Sequence, residues 1–295
     1  MHDYLRAIGF SKIKKNKDVR DILNLVMLRP TSEYVSSAGD EDVVFGEKAK
    51  EFADRMGISV RGEYDDNGQF HVGYYLPYFK SRDCTIKDEV TIEKQSDKDA
   101  YAGIFDNVKV GVSLIFQLLN MADYIDYIEF HKGSLFYAPI YLSGLSISGK
   151  IILPLMKTEA DVRRKQDENM NRDRMIAAAR DGDQDAIESL TLEDIDMYAA
   201  ISRRSKKEDV LTIVESYFMP YGIACDQYSI MGNILNVQLV QNSLTEEFIY
   251  ILTLECNELT FDICINKLDL LGEPLPGRRF RGTVWIQGMV DFMGL

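Results

Sequence analysis

Alternating hydrophobic and polar positions dominate two stretches of the chain and predict β-strands there. Up to about residue 155, the strand-like segments are SVRGEY, FHVGYYLPYF, EVTIEK, VKVGVSLIF and LSISGKIILPL. After residue 205 they are DVLTIVESYF, YSIMGNILNVQLV, EEFIYILTLEC, ELTFDICIN and RFRGTVWIQG. Only Asn257 and Glu258 separate the runs IYILTLEC and LTFDICIN, a spacing typical of a β-hairpin. The segment FQLLNMADYIDYIEF fits either a strand or a helix.

Helical patterns occupy the remaining stretches. Near the start, DYLRAIGF and KDVRDILNLVML predict helices, and the second ends at Pro30, which cannot continue a helix. A short helix is predicted over GEKAKEFADRMG, with Gly57 as its stop. Residues 157–204 are highly charged and predict a helical connector. In that connector Gly182 is expected to end one helix, Asp183 to cap the next, and Thr191 to cap a third.

Together these elements predict an α+β fold. It contains two mainly antiparallel sheet units, joined by a helical segment and preceded by N-terminal helices. The predicted division is an N-terminal helical segment at 1–45, a first α+β unit at 46–156, the helical connector at 157–204 and a second, mainly β unit at 205–295.

Similarities between the two strand-rich units favour an internal duplication. YYLPY (Tyr74–Tyr78) reappears as YFMPY (Tyr217–Tyr221), and LSGLSISGKIILPL (Leu142–Leu155) aligns without gaps with LPGRRFRGTVWIQG (Leu275–Gly288). A weaker match with one gap lies between these two, and all three keep the same order. The hypothesis requires the two fourteen-residue segments to occupy equivalent places in their sheets.

The second of these segments carries the candidate site, because it holds three arginines and the only tryptophan of the chain. Side chains alternate along a strand, so one row is predicted to face the core: Phe280, Gly282, Val284 and Ile286. The opposite row differs completely between the two copies that this duplication predicts. Arginine suits carboxylate and phosphate, and arginine with tryptophan is common at interface hot spots. The predicted ligand- or partner-binding residues are therefore Arg279, Arg281, Trp285 and Gln287.

Net charge limits the classes of partner. The chain has 47 acidic and 34 basic residues, a formal charge of -13, which excludes general binding to nucleic acid or to an anionic membrane. The longest apolar run, Val110–Ala122, is shorter than the ~20 residues that cross a bilayer. The N-terminal residues do not have the pattern of a signal peptide. Four cysteines without CxxC spacing suit reduced thiols, and a cytoplasmic location is expected.

Three motifs resemble cofactor or metal sites but lack necessary residues. GLSISGK has no Ser or Thr after its lysine and lies in a predicted strand, so a phosphate-binding loop is not expected. DGDQDAIESLTLE has Ala186 where a calcium loop needs glycine. Glu129 and His131 have no third metal ligand beside them. No cofactor, no metal and no catalytic residue are predicted.

Three segments, MHDYLRAIGFS, DGDQDAIESLTLEDIDMYAAISRR and VESYFMPYGIACDQYSIMG, resemble an uncharacterised domain-of-unknown-function family of gut clostridia and their relatives. The resemblance covers essentially the whole chain. It implies a bacterial cytoplasmic protein, and it transfers no catalytic residue because the family has no known activity.

The residues themselves favour a non-catalytic binding or regulatory protein. It would use the Arg/Trp face of the C-terminal unit to bind an anionic small molecule or a protein. Two alternatives stay open. One is an enzyme that acts on a small anionic metabolite in a cleft between the two units. The other is a structural role, in which Trp285 lies beneath the helical segment and the arginines pair with acids.

Overall fold

A computed structural model of the chain describes residues 3–36, 44–95, 100–107, 112–130, 135–155, 170–172, 174–179, 182–204, 210–222 and 225–292. The chain forms two compact units. One contains Met1–Ile152 with Tyr217–Leu295, and the other is Leu153–Ser216. The structure has two β-sheets and a few helices, which confirms the predicted α+β fold. Within the described residues, no helix is both long and apolar enough to span a bilayer.

Helical elements open the chain as expected. A 3-10 helix covers Asp3–Ile8 and helix α1 covers Asn16–Leu28. In the 3-10 helix, Tyr4, Leu5 and Ile8 are buried, so this short segment is packed into the molecule.

The first sheet has four consecutive antiparallel strands, β1 (Ser32–Ser36), β2 (Val44–Ala53), β3 (Met56–Tyr64) and β4 (Phe70–Phe79). The helix predicted over GEKAKEFADRMG is wrong, because most of that segment forms β2. Its buried residues Gly46, Ala49 and Phe52 recur every third position, which resembles a helical stripe. Pairing with β1 on one edge and β3 on the other outweighs that local pattern.

The second sheet has ten strands. The first four are β5 (Ile86–Lys94), β6 (Tyr101–Asn107), β7 (Val112–Leu118) and β8 (Leu135–Ile152). The others are β9 (Tyr217–Pro220), β10 (Gln227–Gln241), β11 (Phe248–Cys256), β12 (Leu259–Asn266), β13 (Leu270–Leu271) and β14 (Arg279–Val290). A second 3-10 helix, Lys267–Asp269, lies between β12 and β13. This sheet therefore takes strands from both predicted strand-rich units.

The strand pairings of this sheet close into two five-stranded rings. Strand β8 pairs antiparallel with β5 and parallel with β12, whereas β14 pairs antiparallel with β10 and parallel with β7. Strands β8 and β14 also pair antiparallel with each other along most of their length. One ring is therefore β5-β6-β7-β14-β8 and the other is β10-β11-β12-β8-β14. The two rings share β8 and β14.

Equivalent connectivity in the two rings is what the duplication hypothesis requires. Within each ring, three antiparallel strands are followed by one long shared strand. Ser143 lies directly opposite Gln287 in the β8–β14 pair. The duplication itself stays a hypothesis.

Two hydrophobic clusters fill the structure. The larger contains residues from the strands of both rings. It includes Phe280, Val284 and Ile286, each fully buried, which confirms the predicted core-facing row of β14. The smaller joins the N-terminal helices and the first sheet to the other side of the rings, through residues such as Leu145 and Trp285. The matching row at the end of β8, predicted from the alignment as Ile147, Gly149, Ile151 and Leu153, fails at Leu153, which is 72% exposed.

The remaining predictions on local structure have mixed outcomes. The β11–β12 hairpin is confirmed, with its turn residues Asn257 and Glu258 both at positive φ. The ambiguous segment divides into the end of β7 and helix α2 (Met121–Phe130). Asp183 caps helix α3 (Gln184–Arg204) as predicted, since its Oδ1 accepts from the backbone N–H of Asp185 at 3.0 Å.

The predicted third helix of the connector is wrong at its start. Thr191 lies inside α3, and its hydroxyl donates to the carbonyl oxygen of Ile187 at 2.8 Å, so it caps no helix. A short helix, α4 (Val210–Ile213), follows.

Candidate functional site

Opposed residues of antiparallel strands project on the same side of the sheet. On the side of β14 away from the core of the rings, Arg281 lies opposite Lys150 of β8, and Thr283 lies opposite both Ser148 of β8 and Ser229 of β10. Strand β9 adds Tyr217 beside β10. We call this surface the Arg281–Lys150 face, and it consists of Ser148, Lys150, Tyr217, Ser229, Arg281 and Thr283.

Arg281 is held in place by a tyrosine. Its Nε donates to the hydroxyl oxygen of Tyr217 at 2.9 Å, and that oxygen lies 3.4 Å from the hydroxyl of Ser229. Among the described residues, Nε is the only nitrogen of the Arg281 guanidinium with a protein acceptor. The two Nη groups are the part of the fork best suited to a planar anionic group.

Two cations stand side by side on this face. Arg281 is half-buried and Lys150 is exposed, and their Cβ atoms are expected about 5 Å apart because the two residues are directly opposed. Within the described part of the chain, neither cation has a carboxylate oxygen within 4.0 Å. Like charges directly opposite each other destabilise a strand pair. An anion bound between them would remove that cost.

Arg279, another predicted site residue, lies on the same strand but is buried. Only 3% of it is exposed, and its Nη1 lies 4.0 Å from the sulfur of Met231, which is itself fully buried. Arg279 lies opposite Asn233 and Ile152 in the two neighbouring strands. Its guanidinium is therefore part of the packed protein and is not open to an incoming partner.

Trp285, also predicted for the site, packs against the N-terminal 3-10 helix. It is 6% exposed, and its ring centroid lies 5.2 Å from that of Tyr4. The indole N–H donates to Asp226 Oδ2 at 2.7 Å. Burial, followed by the nearby negative charge of Asp226, raises the pKa of Tyr4 to about 12. These contacts attach the start of the chain to the ring that contains β10.

Gln287, the last predicted site residue, joins the two sheets. It is fully buried, its Oε1 accepts from the backbone N–H of Phe79 at 3.1 Å, and its Nε2 donates to the carbonyl oxygen of Pro77 at 2.9 Å. Ser143, directly opposite, donates its hydroxyl to the carbonyl oxygen of Phe79. The amide of Gln287 therefore satisfies backbone groups of β4 that would otherwise be buried without partners.

Sequence reasoning identified Arg281 but missed Lys150 and Tyr217. The alignment placed Lys150 level with Thr283 in a different unit, whereas the two strands are neighbours and Lys150 lies opposite Arg281. No local pattern signals a pairing between segments so far apart. In the sequence, Tyr217 stands out only because its segment YFMPY resembles YYLPY at Tyr74–Tyr78.

The buried carboxylates of the described residues hold the fold together. Glu247 accepts from the Ser11 hydroxyl at 2.8 Å and from the Asn266 amide at 2.7 Å. Asp262 accepts from Arg55 at 2.7 Å and from the Thr253 hydroxyl at 2.7 Å.

Two of the three cofactor-like motifs lie only partly within the described residues. GLSISGK lies inside β8, as expected of a strand. Asp181 and His131 lie outside the described residues. Where side chains are described, no group of three or more His, Cys, Asp or Glu residues has the geometry to hold a metal ion.

Comparison with known protein families gives a match over most of the chain. A family model described as "Domain of unknown function, E. rectale Gene description (DUF3881)" matches residues 5–288. No curated protein and no solved structure matches the chain.

Proposed function

The chain belongs to the DUF3881 family, and that membership assigns no activity. From the Arg281–Lys150 face we propose that the protein is a non-catalytic binding or regulatory protein. Its partner would present a carboxylate or phosphate group, carried by a small molecule or by another protein. One observation carries the proposal: two cations lie directly opposite each other, without an acidic partner among the described residues, in a chain of net charge -13.

The chemistry of the face suits such a group. The free Nη groups of Arg281 would donate two parallel hydrogen bonds to a carboxylate or phosphate, and Lys150 would add a point charge. The hydroxyls of Thr283 and Ser148 stand in the next row across the same strands. Tyr217 holds the guanidinium by its Nε, which reduces the entropy lost when a ligand binds.

The enzyme alternative lacks a comparable observation. The most buried described carboxylates, Glu247 and Asp262, are occupied by hydrogen bonds between distant elements of the fold. Catalysis would require an acid or base that reaches a substrate.

We place this binding in the bacterial cytoplasm. Cys84 and Cys225 are free thiols at exposed positions, an arrangement that suits a reducing compartment. We also infer that the two rings arose by duplication. The equivalent positions of β8 and β14 in the pairing pattern support that origin.

The proposal is tested by combining identification of bound compounds with matched variants. The purified protein is analysed by native mass spectrometry for compounds that remain bound, and a panel of phosphorylated and carboxylated metabolites is screened by thermal shift. We expect an anion to bind, and the double variant Lys150→Ala/Arg281→Ala to weaken its binding by at least about tenfold, because a charged hydrogen bond contributes about 1.5–3 kcal/mol.

A control variant separates this effect from a general loss of positive charge. Arg82→Ala removes an exposed arginine that pairs with Asp54 in the turn between β2 and β3, and it should leave anion binding unchanged. Arg281→Lys keeps the charge but loses the planar fork, so binding should fall between wild type and the double variant. Equal binding by wild type and the double variant would refute the proposed site.

A further inference from the structure

The last seven residues of β10, 235–241, form an unpaired strand edge. Strand β10 pairs with β14 only as far as Asn233, and from there to Gln241 it pairs with β11 on its other edge. The loop before β14 reaches only Ile234, whose carbonyl oxygen accepts from the backbone N–H of Gly277 at 2.8 Å. Among the described residues, the second edge of 235–241 has no backbone partner.

This edge is open to solvent. Five of its seven residues are exposed, namely Leu235, Asn236, Gln238, Leu239 and Gln241. Leu235 is 48% exposed and Leu239 is 47% exposed. Phe248, on the adjacent strand β11, is opposite Gln241 and 45% exposed, so it lies on the same side of the sheet as Leu239. Unpaired backbone groups and exposed apolar side chains therefore occur together.

Apart from a bulge at Leu235 in its pairing with β11, the edge has none of the charges or prolines with which proteins protect such strands. Natural edges carry lysines, prolines, bulges or inward-pointing charges that prevent pairing with another chain. Here no charged residue occurs anywhere between Gln227 and Thr245, although 27% of the whole chain is charged. Residues 235–241 also contain no proline and no glycine. An open edge with no protecting charge is expected to have a partner.

We propose that this partner is a second copy of the same chain. The two β10 edges would pair antiparallel about a twofold axis near Gln238 and form a continuous sheet across the dimer. In such a pairing each residue lies close to its own counterpart, so the segment must be compatible with itself. Two chains of charge -13 repel each other, and an edge without charged residues adds nothing to that repulsion.

Side chains on both faces of the joined sheet fit this arrangement. Near the axis the carboxamides of Gln238 from the two copies can donate to and accept from each other. Leu239 and Phe248 of each copy would extend the apolar contact on one face. A heterologous partner strand would need no such self-compatibility, so the absence of charge favours a second copy.

Sedimentation velocity tests the proposal directly on the full chain. Over concentrations from about 1 µM to about 500 µM, which bracket strong and weak association, the mass should rise from 33.7 kDa toward twice that value. Leu239→Lys and Gln238→Lys place like charges close together at the axis. Each should weaken dimerisation at least about tenfold, since like-charge contacts cost several kcal/mol.

The matched control is Leu271→Lys. It replaces a leucine that is 73% exposed in β13, a strand that pairs with β8 and not with β10, and the variant should dimerise as wild type does. Thermal melting of each variant checks that folding is unaffected, as expected for exposed positions. Lys150→Ala/Arg281→Ala should also dimerise normally, so failure of the anion-binding proposal and failure of this one are distinguishable.

Cross-linking tests the antiparallel register. With Cys84 and Cys225 replaced by serine, cysteine is introduced separately at Asn236, Gln238 and Val240, and oxidation should give a reducible dimer most efficiently for Gln238→Cys. A protein that stays monomeric at the highest concentration would overturn the proposal. Dimerisation that persists unchanged in both lysine variants would also overturn it.

Discussion

Gln287 gives the strongest test of how the two sheets are joined. Replacing it with leucine keeps the side-chain volume nearly constant but removes both hydrogen bonds to β4. The N–H of Phe79 and the carbonyl of Pro77 would then be buried without partners, because both residues are buried in the structure. Leaving a buried polar group unsatisfied costs about 1–3 kcal/mol, so Gln287→Leu should lower the free energy of unfolding by about 2–4 kcal/mol.

Urea unfolding measures this change with a natural reporter. Trp285 is the only tryptophan of the chain and lies two residues from Gln287, so its fluorescence follows the unfolding of this region. For a denaturant slope of about 3 kcal/mol per molar, the midpoint should fall by about 1 M. Circular dichroism must give the same midpoint for the two-state treatment to hold.

Two further variants make the test specific. Gln69→Leu changes an exposed glutamine in the turn before β4, and it should shift stability by less than about 0.5 kcal/mol. Ser143→Ala removes one bond to the same Phe79, so its effect should not add simply to that of Gln287→Leu. If Gln287→Leu is as stable as wild type, the amide does not hold β4, and the reasoning from buried unsatisfied groups is refuted.

Three other properties are expected from the structure. Arg61 is 1% exposed, pairs with Glu47 at 2.9 Å and donates to the Leu119 carbonyl at 2.5 Å. Arg61→Ala should therefore lower the free energy of unfolding, measured by thermal unfolding, by about 3–5 kcal/mol. A loss below about 1 kcal/mol would contradict this expectation. Burial raises the pKa of Tyr4 from 10.0 to about 12, so the folded protein keeps the phenol proton to a higher pH than the unfolded protein does. The contribution of Tyr4 to the free energy of unfolding should therefore be fully present below pH 10 and decrease between pH 10 and pH 12. Equilibrium unfolding across that range, with Tyr4→Phe showing a smaller decline, checks this expectation. An aromatic disulfide reagent at neutral pH should rapidly modify the exposed thiols of Cys84 and Cys225. The buried thiols of Cys256 and Cys264 should react only when the protein unfolds. Rapid modification of all four would show that the core opens readily.

Local patterns were sufficient to predict several elements of the fold. Helix α1 ends before Pro30, and the β11–β12 hairpin has two residues between alternating strands, both signals that depend only on near neighbours. The inward row of β14 followed from side-chain alternation. Strand β2 was mistaken for a helix because its buried residues recur every third position, and pairing on both edges cannot be inferred from its own sequence.

The candidate site depended on contacts that no local pattern contains. Arg281 and Lys150 are 131 residues apart in sequence (281 minus 150), and only the pairing of β14 with β8 brings them together. A similar separation in sequence from the residues that cover them explains why Gln287 and Trp285 are predicted at a binding surface. The residues that bury them come from β4 and from the N-terminal 3-10 helix. A polar side chain on the outer row of a strand is predicted to be exposed as long as the element that covers it is not known.

The sharing of β8 and β14 between two rings sets the order of events during protein synthesis. Strands β5 to β8 leave the ribosome well before β14, yet β7 and β8 both need β14 as a neighbour. Until then the nascent chain carries two long strands with open edges and apolar inner faces, the state most prone to misassembly. Neither ring can close before the last of its strands is translated, and both then close together. Folding of this unit is therefore expected to wait until β14 has emerged.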